Sequence, residues 1–124
     1  MLIDNIRLSQ QSRDQLIRLK RITGIDSWNV LCRWAFCLSI ADKNPPPRSK
    51  LGGDGAVEMT WKTFAGEYAD IYLAMLIHRA REEARPGNRE SLSELVRVHI
   101  TRGIGFLTAR RQLNGISDLL EITI

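Results

Sequence analysis

Residues 9–41, SQQSRDQLIRLKRITGIDSWNVLCRWAFCLSIA, read as two helices joined at Gly24. The first has its limits written in it. Ser9 or Ser12 caps the first turn, Lys20 and Arg21 sit in the last turn where cations suit the helix dipole, and Gly24 supplies a left-handed terminating residue. Its apolar stripe is short: Leu16 and Leu19 lie on one face and Ile22 and Thr23 continue it, whereas Arg13, Arg18, Lys20 and Arg21 cover much of the remainder. The second helix begins at Asp26 or Ser27 and is apolar on nearly every side, with polar interruptions at Asn29, Arg33 and Ser39. Such a helix in a soluble protein belongs to a core or to an oligomer interface. In a short chain both roles are expected, with Trp28, Leu31, Trp34, Phe36 and Leu38 as the interface residues.

Towards the start of the chain, Ile3 to Leu8 alternates, with Ile6 and Leu8 on one side and Asn5 and Arg7 on the other, as in a short strand. Strand, helix, helix is the order of a ribbon-helix-helix unit, in which two chains pair their strands and outward side chains enter a DNA groove. Residues 42–55, DKNPPPRSKLGGDG, form a surface loop, because proline lacks a donor and glycine lacks restraint. Its Lys43, Arg48 and Lys50 offer a second phosphate-contacting patch. Residues 56–61 suit another short strand, with Val57, Met59 and Trp61 on one face. The next stretch marks the longest core helix, with Tyr68, Ile71, Tyr72, Met75 and Leu76 inward and Pro86, Gly87 and Asn88 closing it. A last helix opens with capping-box spacing at Ser91 to Glu94, carries Leu92, Leu95, Val96, His99 and Ile100 inward, and stops at Gly103. Beyond it come the cations Arg110 and Arg111 and a short amphipathic end, Ile116 to Ile122. The expected fold is therefore mainly α: a single helical domain over residues 1–124, in which the strand-helix-helix unit spans 3–41 and the helical remainder 56–124.

A chain of 124 residues with 44% hydrophobic and 26% charged residues has the composition of a soluble globular protein. Its longest apolar run falls far below the roughly 20 residues of a membrane span, and MLIDNIRLS does not resemble an export leader, so a cytoplasmic location without membrane contact is expected. Cys32 and Cys37 are five apart on one helix and point in different directions, as small buried apolar residues rather than a disulfide. Of the net charge of +4, most sits in the first 25 residues, where five cations face two carboxylates. That asymmetry suits a polyanion partner. The expected DNA contacts are Arg7, Arg13, Arg18, Lys20, Arg21, Lys43, Arg48 and Lys50, and with few aromatics beside them they suit the backbone rather than the bases. No nucleotide loop or zinc spacing occurs, His78 reads as a surface residue and His99 as a satisfied interior one, and Glu82 and Glu83 read as ion-paired surface acids. No catalytic set, metal or cofactor is expected.

Three blocks in order, DQLIRLKRITGIDSWNVLCRWAFCLSIA (14–41), WKTFAGEYADIYLAMLIHRA (61–80) and HITRGIGFLTARR (99–111), resemble the DndE family of DNA sulfur-modification proteins. The resemblance runs through essentially the whole chain. It implies a small helical protein that works with other Dnd proteins in DNA phosphorothioation, in which sulfur replaces a non-bridging phosphate oxygen. A cysteine desulfurase, an iron–sulfur protein and an ATPase supply sulfur and energy there, and this member is not an enzyme. The resemblance further implies a homotetramer whose basic surface binds duplex DNA, nicked DNA above all. Two alternatives stand beside it: a ribbon-helix-helix regulator in which Asn5 and Arg7 read bases, and a scaffold whose targets are the other Dnd proteins.

Overall fold

The computed structural model describes residues 3, 5–47, 55–109, 115, 116 and 120. The described elements are strand β1 (Ile6–Leu8), helices α1 (Gln10–Thr23) and α2 (Trp28–Ala41), strand β2 (Val57–Met59), helix α3 (Trp61–Ala65), a 3₁₀ turn (Gly66–Tyr68), and helices α4 (Ala69–Glu82) and α5 (Arg89–Ala109). The mainly helical fold with a strand-helix-helix start is as expected. Arg48, Lys50, Arg110, Arg111 and most of the amphipathic end lie outside the described residues.

Helix α1 obeys its sequence signals. Ser12 N donates to the Ser9 hydroxyl at 3.2 Å, and Gly24, at φ +74°, donates its N–H to Lys20 O at 2.9 Å. Leu16 and Leu19 are fully buried below the helix. Helix α2 starts at Ser27, whose hydroxyl makes no capping bond; its carbonyl accepts from Val30 N and Leu31 N instead.

The organising contact is between α2 and α5. Gly103 sits against the backbone of Ala35 so closely that a Cβ built on it would lie 1.8 Å from Ala35 O. Gly103 therefore does not stop α5, as its sequence context suggested; it lies inside a 21-residue helix and lets two backbones meet. Along the same seam Ser39 of α2 faces His99 of α5, four residues after Ala35 and four before Gly103, so the helices run antiparallel. One face of α2, Leu31, Cys32, Ala35, Phe36 and Ser39, is buried in the chain's own core. Leu31 and Phe36 are thereby corrected: they are wholly enclosed and unavailable to a second copy. Phe36 anchors an aromatic cluster instead, with ring centroids 5.7 Å from Phe64 and 5.8 Å from Tyr72. Aromatic pairs of this kind add about 0.5–1.5 kcal/mol each beyond area burial.

Other boundaries differ from the sequence reading for local reasons. Trp61 opens α3 rather than closing β2, because Thr60 accepts from Thr63 N at 3.0 Å as an N-cap. Gly66, at φ +62° and ψ −141°, then breaks the helix in a region open only to glycine, and the 3₁₀ turn resets the facing of α4. As a result α4 buries Leu76, Arg79 and Ala80, while Tyr68 and Ile71 are exposed, and α5 is the longer helix. Asn88 belongs to α5: its side chain accepts from Ser91 N at 2.9 Å and its carbonyl from Leu92 N.

Strand β1 pairs antiparallel with β2 of the same chain, Arg7 opposite Glu58. Arg7 Nε lies 3.8 Å from Glu58 Oε2, and Asn5 donates to Glu58 Oε1 at 3.2 Å. This edge of β1 is thus filled from within, and the two residues of the ribbon alternative are held on one carboxylate.

Gly103→Ala should lower stability by about 3 kcal/mol or prevent folding, because the added methyl forces two backbones apart. Gly105→Ala, which meets nothing within 4 Å, should raise stability by about 0.5–1 kcal/mol. Urea denaturation midpoints of the two variants make the comparison.

Candidate nucleic-acid interface

Arg13, Arg18, Lys20 and Arg21 are all exposed on α1, Arg18 and Arg21 on the side away from Leu16 and Leu19 and Arg13 and Lys20 flanking that buried stripe. At 100° per residue, Arg13 and Lys20 fall on one line of the helix, seven residues apart, and Arg18 and Arg21 spread the charge around the outer side. Among the described residues, no carboxylate forms an ion pair with Arg18, Lys20 or Arg21. Arg13 differs, for its guanidinium lies over the Trp28 ring at 5.8 Å. That contact fixes the side chain and leaves its charge at the surface, worth about 0.5–1 kcal/mol at an exposed site. Trp28, expected at an oligomer interface, is a half-buried platform for it.

The remaining predicted contacts are not on α1. Arg7 is exposed on β1 with Glu58 beside it. Lys43 is exposed at the far end of α2, about 20 Å along the axis from the corner where α1 ends.

The backbone around Lys43 is held by a polar network that the sequence reading missed. Helix α2 has no basic residue in its last turn and no glycine at its end, so its terminal carbonyls need partners from elsewhere. Arg79 of α4 and Arg102 of α5 supply them. Arg79 donates to Ile40 O (2.9 Å), Asp42 O (2.6 Å) and Asn44 O (3.1 Å). Arg102 donates to Ser39 O (2.7 Å), Asn44 O (2.6 Å) and the Ser39 hydroxyl (2.8 Å). Two guanidinium groups thus sit at the negative end of the α2 dipole, a favourable place for charge.

Glu83 balances them. Arg79 Nε donates to Glu83 Oε2 at 2.7 Å, His99 Nε2 contacts the same oxygen at 2.9 Å, and Arg85 Nε lies 3.3 Å from Oε1. Glu82 is exposed and pairs with His78 at 3.5 Å, as expected, whereas Glu83 is a buried acid and corrects the surface reading. The turn that carries it is a Schellman motif: Arg85 N donates to Ala80 O, Ala84 N donates to Arg81 O, and Ala84 takes the left-handed position at φ +54°. Alanine there gives no glycine signal to read.

An ionised carboxylate only accepts, so His99 carries its proton on Nε2 and Nδ1 accepts from the Ser39 hydroxyl at 2.7 Å. Burial lowers the His99 pKa; Glu83 opposes this while Arg79 and Arg102 add to it, and the balance keeps the imidazole neutral. Burial alone would raise Glu83, but the hydrogen bonds from His99 and Arg79 outweigh it and hold the carboxylate below its usual range. The order Ser39, His99, Glu83 has the look of a hydrolytic triad. Ser39 and His99 are both wholly buried and Ser39 Oγ already accepts from Arg102, so no substrate reaches the hydroxyl.

The cysteines also divide. Cys32 is buried and its thiol is pushed up to about 12; Cys37, expected inside, is exposed on α2, and its thiol too is raised by burial, with a hydrogen bond to Tyr72 working the other way. Neither presents a thiolate at neutral pH. Cys37 belongs to the outward face of α2, where Val30, Arg33, Trp34, Cys37, Leu38, Ala41 and Tyr72 line an open groove of about 550 Å³. Of the predicted interface residues, Trp34 and Leu38 lie in this groove. Among the described residues, no helix is long and apolar enough to cross a membrane, and no three His, Cys, Asp or Glu side chains converge as metal ligands.

The fold is found in known proteins. Residues 5–115 match the family model of the DNA sulphur modification protein DndE. The chain belongs to the DndE family. It is similar to the crystal structure of DndE from Escherichia coli B7A, a protein involved in DNA phosphorothioation modification, with a TM-score of 0.71 and 28% identity, covering 86% of this chain and 98% of that one. A crystal structure of a DndE mutant, with a TM-score of 0.65 and 23% identity over 86% of this chain and 100% of that one, shares the fold. No curated protein matches the sequence.

The buried network predicts acid sensitivity. An unfolded histidine titrates near 6.5 and folded His99 at lower pH, so between the two values the unfolded chain holds more protons and stability falls as pH drops below about 6.5. Loss of the depressed Glu83 acts in the same direction at still lower pH. Urea midpoints measured from pH 7.5 to 5 should decline in the parent and decline less in His99→Gln. Arg79→Met should cost about 3–5 kcal/mol at neutral pH, because it strands the buried Glu83 charge.

Proposed function

We propose that this protein is a non-enzymatic, DNA-binding accessory of the DNA phosphorothioation system, and that it grips the duplex by its phosphate backbone through the outer face of α1. The observation that carries the reading is the set of exposed cations on that helix, Arg13, Arg18, Lys20 and Arg21, of which the last three meet no carboxylate among the described residues. Arg7 and Lys43 are secondary contacts, and Arg48 and Lys50 extend the second patch. Side chains of this kind on a convex helix neutralise phosphates and carry no base pattern.

The acting form is a homo-oligomer, a tetramer, assembled over the outward face of α2 with Trp34 and Leu38 at its centre. Repetition of the α1 face by symmetry multiplies phosphate contacts without any new residue. Nicked duplex is the preferred substrate, in keeping with a role in holding the backbone during sulfur exchange beside the other Dnd proteins. The regulator alternative loses support because Arg7 and Asn5 share Glu58 and β1 pairs within its own chain.

Binding to intact and nicked duplexes of one sequence tests the reading, with the parent compared to Lys20→Ala/Arg21→Ala. The double variant should fold, keep the assembly mass and bind more weakly, its log–log salt slope shallower by about 2 for each protomer on the duplex. Equal binding by the variant would remove α1 from the interface, and equal binding of the two duplexes would remove the nick preference.

A further inference from the structure

The groove on the outward face of α2 is apolar with one cation in it. Val30, Trp34, Leu38 and Ala41 fall at helical spacing along its length, Tyr72 of α4 closes one side, and Arg33 lies among them. Arg33 Nε is buried and meets no hydrogen-bond acceptor among the described residues. A buried donor of this kind costs about 1–3 kcal/mol unless something supplies an acceptor. The occupant that suits the groove is therefore apolar and carries a carboxylate.

One segment of the chain has that chemistry. From Ile116 onward the sequence is ISDLLEITI, apolar with two acids, Asp118 and Glu121, and no lysine or arginine, in a protein of net charge +4. It lies beyond residues 5–115 that match the family model. Ile116 and Leu120, four apart, are 51% and 55% exposed, and neither lines the groove of its own chain. Side chains four apart share one face of a helix, which is the spacing that Trp34 and Leu38 present.

We propose that the segment beginning at Ile116 of one copy lies in the α2 groove of a second copy, its apolar side chains against Trp34 and Leu38 and its carboxylates meeting Arg33. The contact rests on the reading that the α2 face is covered by another copy, and it names what covers it. It is head-to-tail, so it joins two different surfaces and closes a ring when repeated about a rotation axis. Its charge pairing also gives a use to two acids in a segment without lysine or arginine.

Cys37 in the groove provides the test. In Ile116→Cys, oxidation at alkaline pH, where the raised Cys37 thiol ionises, should trap a covalent dimer on a non-reducing gel, because a disulfide forms only where Cα atoms approach within about 7 Å. Cys32 is buried and does not compete. The dimer should vanish in Ile116→Cys/Cys37→Ser, which excludes a bond between two tails, and should fall severalfold in Ile116→Cys/Arg33→Glu. A disulfide closed within one chain would overturn the proposal by placing the tail in its own groove, and so would the absence of any disulfide with Cys37. Light scattering before oxidation separates the two readings. A multimer that is not trapped refutes the tail contact and leaves assembly standing, whereas a monomer refutes both.

Discussion

Everything in this fold that bears on function depends on the distance between Ala35 and Gly103. No side chain fits between the two backbones, so α2 and α5 lie closer than helices separated by side chains, and their register is set by one residue. That register puts Ser39 opposite His99 one turn along. It also brings Arg102 to the end of α2, where its guanidinium donates to the carbonyls of Ser39, Asp42 and Asn44. Arg79 and Glu83 complete the arrangement from α4 and the turn after it. A glycine contact thus becomes a polar clamp, and the clamp fixes the backbone from which Lys43 and the basic loop depart. The cost of such a buried network is high only if a member is missing, which makes it a determinant of one geometry more than a source of net stability.

Much of the fold was legible where a local signal has one meaning. Ser9 and Gly24 bound α1 as read, and the stripe of Leu92, Leu95, Val96, His99 and Ile100 is buried as read. Reading failed where one signal has two meanings. Glycine after an apolar stripe marks either a helix end or a close approach, and Gly103 is the second. Ala84 shows the reverse, a helix end in the left-handed conformation without the glycine that announces it. Glu83 in an arginine-rich turn has the same local sequence whether the turn is exposed or folded against α5. Only the tertiary partner, His99, distinguishes them.

The apolar character of α2 was also ambiguous, because periodicity does not say which side faces the chain's own core. Leu31 and Phe36 go inward, and Trp34 and Leu38 remain at the surface. The cations of α1 were easier to read, since a helix with one narrow apolar stripe leaves the rest to solvent. The surfaces divide by chemistry: charge on α1 and apolar area on α2, with a polar network joining α2, α4 and α5. We assign the first to DNA and the second to another copy, while the network keeps their relative placement.

The most direct measurement is the salt dependence of binding to two duplexes of unrelated sequence. Contact through the backbone predicts two coincident, steeply falling lines of log affinity against log salt, with about 0.9 in slope for each phosphate neutralised. A shallow slope, or a large and salt-insensitive preference for one sequence, would contradict it.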